Sequence, residues 1–143
     1  MTPSFNQVFV DTSAWIAFLD AGDTAHSGVS RFFKTAVGKT RLLTTDYVVF
    51  ETLTYLNCSL KNHRLAATFY ATCKNASGLE IVPVSSESAD AALTEFFFKF
   101  TDQSISVVDA VSFYIMKQFG LELALAIDDH FRAAGFQVIA LED

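Results

Sequence analysis

The sequence predicts an α/β fold in which a mainly parallel central sheet lies between helical layers. Three observations predict it. Short apolar runs alternate with longer amphipathic patterns along the whole chain. No Pro/Gly/Ser-rich linker, low-complexity tract or internal repeat interrupts that alternation. Half of the 143 residues are apolar and Phe alone occurs 15 times, enough to enclose an ordinary core and to argue against disorder.

The elements follow in order. QVFV, from Gln7 to Val10, reads as a short buried strand, and SAWIAFLD as the helix after it. A second helical pattern covers about 24–37, and GKT turns into the strand RLLTT at 41–45. Thr45 is placed to cap the long helix DYVVFETLTYLNCSLK, and Asn62 the next one, which runs to about Ser77. LEIVPV at 79–84 is the third strand, and helices begin near Ser86 and at Ser106. LALAI at 123–127 is the fourth strand, a short helix starts from Asp128, and QVIAL at 137–141 closes the chain.

The length suits a single domain over 1–143. The N-terminus has no basic region and Asp11 interrupts its apolar stretch, which argues against a signal peptide. No stretch is long enough to span a bilayer. Cys58 and Cys73 fall in separate helical patterns without ligand-like spacing and read as buried reduced thiols, which suits a cytoplasmic protein.

Four acids stand where charge is scarce. Asp11 is the only charged side chain before Asp20, Glu51 the only one between Asp46 and Lys61, and Asp109 the only one between Asp102 and Lys117. Asp128 directly ends an apolar strand and has Arg132 four residues on; the other three have no basic residue three or four positions away. Burying such carboxylates needs compensation, which leaves a bound metal, a distant cation or solvent exposure. Each also has an ordinary explanation. Asp11 is placed to cap the helix at Ser13, Ser106 and Asp109 form a capping-box pattern, and Asp128 or Asp129 can cap the last helix. Glu51 shares its helical face with Tyr47, Val48, Tyr55 and Cys58 and is harder to dismiss.

Their combination points to chemistry. In an open parallel sheet, ligands bind outside the carboxyl ends of the strands. Asp11 follows the first strand and Asp128 the fourth, Glu51 rises from the helix after the second, and Asp109 sits in the first turn of a helix able to lean over that edge. Carboxylates meeting there repel one another unless cations bind. Oxygen donors without a Cys or His cluster suit Mg²⁺ or Mn²⁺ rather than zinc, which makes metal-assisted phosphoryl chemistry the leading expectation.

At these residues the sequence resembles the PIN-domain ribonucleases, in particular the VapC toxins of toxin–antitoxin pairs. VFVDTSAWIAFLD is similar to the family's opening strand with its first aspartate, here Asp11. TTDYVVFETLTYL matches the segment carrying the family glutamate, here Glu51, and SISVVDAVSF the stretch carrying the third acid, here Asp109. IDDHFRAAGF resembles the closing D-x-H-F-x-x-A-G-F motif, which selects Asp128 over Asp129 and leaves Asp129 a solvated first-turn residue. The resemblance spans essentially the whole chain. It implies a PIN-like three-layer α/β/α sandwich and an endoribonuclease acting on single-stranded RNA, with Asp11, Glu51, Asp109 and Asp128 as catalytic acids holding Mg²⁺ or Mn²⁺. It also implies cleavage to a 5′-phosphate and a 3′-hydroxyl, a homodimer and a VapB-type antitoxin that blocks the acidic pocket. Many relatives place Thr or Ser two residues before the last aspartate, where this chain has Ala126.

Thr12, Ser13 and Ser106 are placed to support the acids through hydrogen bonds. The net charge is −6, and with the four site acids set aside 12 acids face 10 Lys and Arg, a balance of −2. Arg31, Lys34, Lys39 and Arg41 form one basic group, and Lys61 and Arg64, with His63, a second. Either serves as an RNA contact or as an ordinary solvated surface. TEFFFKFTD spreads its Phe residues over more than one helical face, as either a doubly covered core helix or a patch for a partner. His130 reads as a packing or capping residue rather than a ligand, and Trp15 and Phe18 as core. Rival phosphotransfer folds fit poorly. A haloacid-dehalogenase phosphatase needs an aspartate where Ser13 stands, and a response-regulator receiver needs its acid pair after the first strand. A catalytically weak or inactive PIN fold that binds protein or RNA is the remaining alternative.

Overall fold

A computed structural model describes residues 6–141. The first five residues of the stretch read for a leader, and both ends of the expected single domain, lie outside them. Five parallel strands, β1 (Gln7–Val10), β2 (Arg41–Thr45), β3 (Leu79–Val82), β4 (Leu123–Leu125) and β5 (Gln137–Val138), form one sheet in the order β3-β2-β1-β4-β5. Between them run α1 (Thr12–Leu19), α2 (His26–Ala36), α3 (Asp46–Cys58), α4 (His63–Asn75), α5 (Ser86–Ala92), α6 (Val107–Phe119) and α7 (His130–Ala133). The expected α/β alternation is what the chain forms. Val8, Phe9 and Val10 on the central strand are all fully buried. Successive strand residues point to opposite faces, so both faces of the sheet are covered. Among the described residues no helix is long and apolar enough to cross a membrane.

Local chemistry sets the helix starts. Thr45 accepts a hydrogen bond from the Val48 amide at 3.1 Å and Asn62 one from the Leu65 amide at 3.0 Å, as their positions predict. β4 and β5 are shorter than their apolar runs. The Asp11 amide takes the carbonyl of Leu125, and two residues later the Ile127 amide turns to the Ser13 hydroxyl at 2.9 Å instead of continuing a ladder.

The Phe-rich stretch packs inward. A π-helical turn, Leu93–Phe97, continues α5 and shifts its phase. Phe96 and Phe100 thereby meet Phe113 at ring distances of 5.6 and 6.4 Å, while Phe98 alone of the four is 66% exposed. Trp15 is core, held between Phe33 and Phe69, but Phe18, expected in the core, is exposed, with its ring edge-on to Phe33 at the surface. Cys73 is buried, and burial pushes its thiol up to about 11. Cys58 is exposed, against expectation, because it ends α3 beside an open groove lined by Tyr55, Ser59 and Val108.

Helix α6 stops at Gly120, which sits at φ 66° while its own amide and that of Leu121 return to the last turn. Gly120→Ala is expected to cost about 1 kcal/mol, read as a fall of a few degrees in Tm, because a Cβ is strained in that conformation.

Candidate active site

Strand register assembles one edge of the sheet. Val10 pairs with Leu125 and Phe9 with Leu43, so the segments leaving β1, β2 and β4 emerge side by side. Asp11 caps α1 directly after β1, with its Oδ2 accepting from the Ser13 amide at 3.2 Å and the Ser13 hydroxyl at 2.7 Å. Because that hydroxyl also accepts from the Ile127 amide, Ser13 ties Asp11 to the loop carrying Asp128. Asp109 completes the expected capping box with Ser106, at 2.9 and 3.1 Å. Capping and clustering therefore coexist in the same side chains.

The four acids share one field. Asp11 is 2% exposed. Its carboxyl is pushed up to about 7, chiefly by burial and further by the charges of Asp109 and Asp128, against the lowering effect of Ser13. Burial raises half-buried Glu51, and Asp109 and Asp128 raise it further. The Thr12 hydroxyl beside it tempers that rise, although its geometry falls short of a hydrogen bond. Asp109 is raised by burial first, with Asp128 adding to it, while the Ser106 amide and His130 oppose. One oxygen each of Asp109 and Asp128 and one ring nitrogen of His130 lie within 4.8 Å of one another. Asp11 and Glu51 stand outside that tight group.

The contact at His130 is what sequence reasoning missed. Its Nδ1 lies 3.1 Å from Asp109 Oδ2, although its place beside Asp128 suggested only capping or packing. The signal was its position two residues after the last acid in the same motif. Arg132 pairs with Asp129 at 3.1 Å rather than with Asp128, and the Asp129 side chain is 90% exposed, as a solvated residue should be. Asp128 keeps one local bond, from the His130 amide at 3.1 Å.

The basic residues are not brought to the acids. Lys39 lies in the turn that enters β2 and Arg41 is the first residue of that strand, at the opposite edge of the sheet, where Arg41 pairs with Glu80 at 3.2 Å. Arg31 and Lys34 are on α2, which leads into that same turn. Lys61 and Arg64 follow the far end of α3, whose first residue leaves the acidic edge. Next to Glu51 instead opens a shallow groove of about 580 Å³ lined by Tyr47, Phe50, Tyr55 and Val108. A larger cleft of about 960 Å³, bounded by Trp15, Phe33, Phe69 and the amino ends of β2 and β3, contains none of the four acids.

Comparison with known proteins agrees with this geometry. The PIN domain family model matches residues 8–137, a span that holds all four acids. The chain is 34% identical over 129 residues to the 23S rRNA-specific endonuclease VapC20 of Mycobacterium tuberculosis, which covers 90% of this chain and 95% of that protein. It superposes on the crystal structure of Mycobacterium tuberculosis VapC20, described as a sarcin–ricin loop cleaving toxin. The TM-score is 0.80 at 33% identity, over 90% of this chain and 95% of that one. FitAcB from Neisseria gonorrhoeae shares the fold at a TM-score of 0.68 and 16% identity, over 93% and 96% of the two chains. Motifs, sheet order and relatives converge, and the chain belongs to the PIN domain family.

Proposed function

We propose that this chain is a metal-dependent endoribonuclease that hydrolyses phosphodiester bonds of RNA, with Asp11, Glu51, Asp109 and Asp128 as its metal-holding and catalytic acids. The observation that carries this reading is Asp11 Oδ1, which is buried, has no hydrogen-bond partner and lies in the field of Asp109 and Asp128. A carboxylate so placed ionises readily only when a cation joins it. Four carboxylates fit Mg²⁺ or Mn²⁺. Those four residues would hold the ion, whose chemistry there would be to acidify water and offset charge on the phosphate and the leaving oxygen.

The chain's own residues provide the positioning. Ser13 holds one oxygen of Asp11, and Ser106 and His130 hold one oxygen of Asp109, leaving each acid a second oxygen for the ion. Glu51 and Asp128 are half-buried on the more open side, where a phosphodiester arrives. The groove beside Glu51 offers aromatic surface to an unpaired base. Arg31, Lys34, Lys39, Arg41, Lys61 and Arg64 then contact only flanking parts of a long RNA.

Kinship with VapC20 makes 23S rRNA, and its sarcin–ricin loop as a hairpin, the first substrate to try. A homodimer, a VapB-type antitoxin and a cytoplasmic location complete the reading, and exposed Phe50, Phe98 and Phe119 supply apolar surface for protein partners. The chain works as one domain over 1–143 in this reading. The alternative, a PIN fold that binds without cutting, draws support from Ala126, a buried position with no hydroxyl to orient water.

Incubating the protein with the hairpin and an unstructured RNA, with Mn²⁺, Mg²⁺ or EDTA, tests the proposal. Cleavage should require the metal and should fall more than about 100-fold in Asp11→Asn, since losing even a supporting contact to a ligand typically costs 10–100-fold. Equal cutting by Asp11→Asn, or cutting in EDTA, would overturn it.

A further inference from the structure

We infer that His130 is a positioning residue that clamps Asp109 to Asp128 and thereby reserves one oxygen of Asp109 for the ion; this rests on the metal-dependent reading above. Asp109 Oδ2 accepts two hydrogen bonds at 3.1 Å, from the Ser106 amide and from His130 Nδ1. Ionised, as a metal ligand must be, the Asp109 carboxylate only accepts, so the proton of that bond then belongs to Nδ1, whether the ring is neutral or charged. The same nitrogen is 3.6 Å from Asp128 Oδ1, and the His130 amide donates to that oxygen at 3.1 Å. One residue therefore grips both carboxylates, by its ring on one side and its backbone on the other.

The arrangement repeats what Ser13 does at Asp11. There too Oδ2 is taken by two protein donors, while Oδ1 is left without a partner. Fixing one oxygen sets the direction of the other, which is how outer contacts orient a metal ligand. The clamp is rigid because its neighbour Phe131 is fully buried, with its ring 6.2 Å from Phe9 and 4.9 Å from Phe113. Direct ligation by Nδ1 would give up the bond to Asp109 and leave its Oδ2 held by the Ser106 amide alone.

The experiment titrates Mn²⁺ into the parent, His130→Ala and His130→Asn, following the free ion by electron paramagnetic resonance. The Asn amide nitrogen falls near the place of Nδ1 and keeps a donor. We expect Ala to weaken Mn²⁺ binding roughly 10–100-fold and Asn to recover most of the loss. Pulsed resonance on the Mn²⁺-loaded parent should show no coupling from a directly bound imidazole nitrogen. Such a coupling would make His130 a ligand and overturn the inference, as would Ala binding Mn²⁺ as tightly as the parent or Asn recovering nothing. If thermal melts show Ala to be unfolded, the comparison of Asn with the parent and the pulsed spectrum decide. A parent that binds no Mn²⁺ at all removes the metal reading and this inference together, whereas the other adverse results remove only the role of His130.

Discussion

Metal-free Asp11→Asn protein is expected to melt above the parent at pH 8, by roughly 10 °C, and by almost nothing at pH 4. The sign follows from proton binding. In the folded chain Asp11 keeps its proton up to about 7, whereas the ordinary value is 3.8. Between those values the native state holds a proton that the unfolded state has lost, so rising pH favours unfolding. The penalty grows by about 1.4 kcal/mol per pH unit across that window, to about 4 kcal/mol above it. Burial of Glu51 and Asp109 tilts the parent's profile in the same direction. Asn keeps an acceptor for Ser13 and cannot ionise, so its profile should be flatter.

Saturating Mn²⁺ should then close most of that gap. The parent binds the ion with ionised carboxylates and gains about 2.7 kcal/mol when the ion is at 100 times its Kd, while Asp11→Asn gains little. The same side chain thus costs stability without metal and recovers most of it with metal, as expected of a residue kept for function. Melts from pH 4 to 8, with EDTA and with Mn²⁺, read both effects. Identical profiles for parent and variant in EDTA would show that Asp11 does not titrate as its surroundings require.

Isolation in the sequence singled out Asp11, Glu51 and Asp109 as candidates, because a lone carboxylate in an apolar stretch must be compensated by something distant. Asp128, beside Asp129 and four residues before Arg132, stood out instead by ending an apolar strand and by the motif around it. The element order was equally legible, since apolar runs and capping residues such as Thr45, Asn62 and Ser106 are local features. What remained hidden was side-chain direction. Arg132 lies at helical spacing from both Asp128 and Asp129, and only the short turn of α7 decides that it serves Asp129. His130 joins Asp109 across 21 positions of sequence, a pairing no local pattern encodes. Charge clusters are silent about direction in the same way. Lys39 and Arg41 look like an RNA patch in one dimension, yet the parallel topology sends every loop that precedes a strand to the edge opposite the acids.

Phe113→Ala is expected to cost about 3–5 kcal/mol of folding stability and to weaken Mn²⁺ binding even where the variant remains folded. Phe113 is fully buried, with rings of Phe96, Phe131 and Phe136 at 5.6, 4.9 and 5.7 Å. It lies four residues after Asp109, one turn along the same face of α6. Phe131, which it touches edge-on, is the residue next to His130. One aromatic cluster therefore fixes the relative position of α6 and α7, and with it the meeting of Asp109, Asp128 and His130. Removing the ring leaves a cavity that the neighbouring Phe side chains fill only in part, and either helix is then free to shift. Phe113→Leu retains most of the volume and should lose about 1.5 kcal/mol or less, with Mn²⁺ binding close to the parent's. Urea unfolding gives the stability terms, and Mn²⁺ titration at low urea gives the binding. If Phe113→Ala is strongly destabilised yet binds Mn²⁺ like the parent, the hydrogen bonds from the Asp11 amide to the Leu125 carbonyl and from the Ile127 amide to the Ser13 hydroxyl hold the site without help from the core.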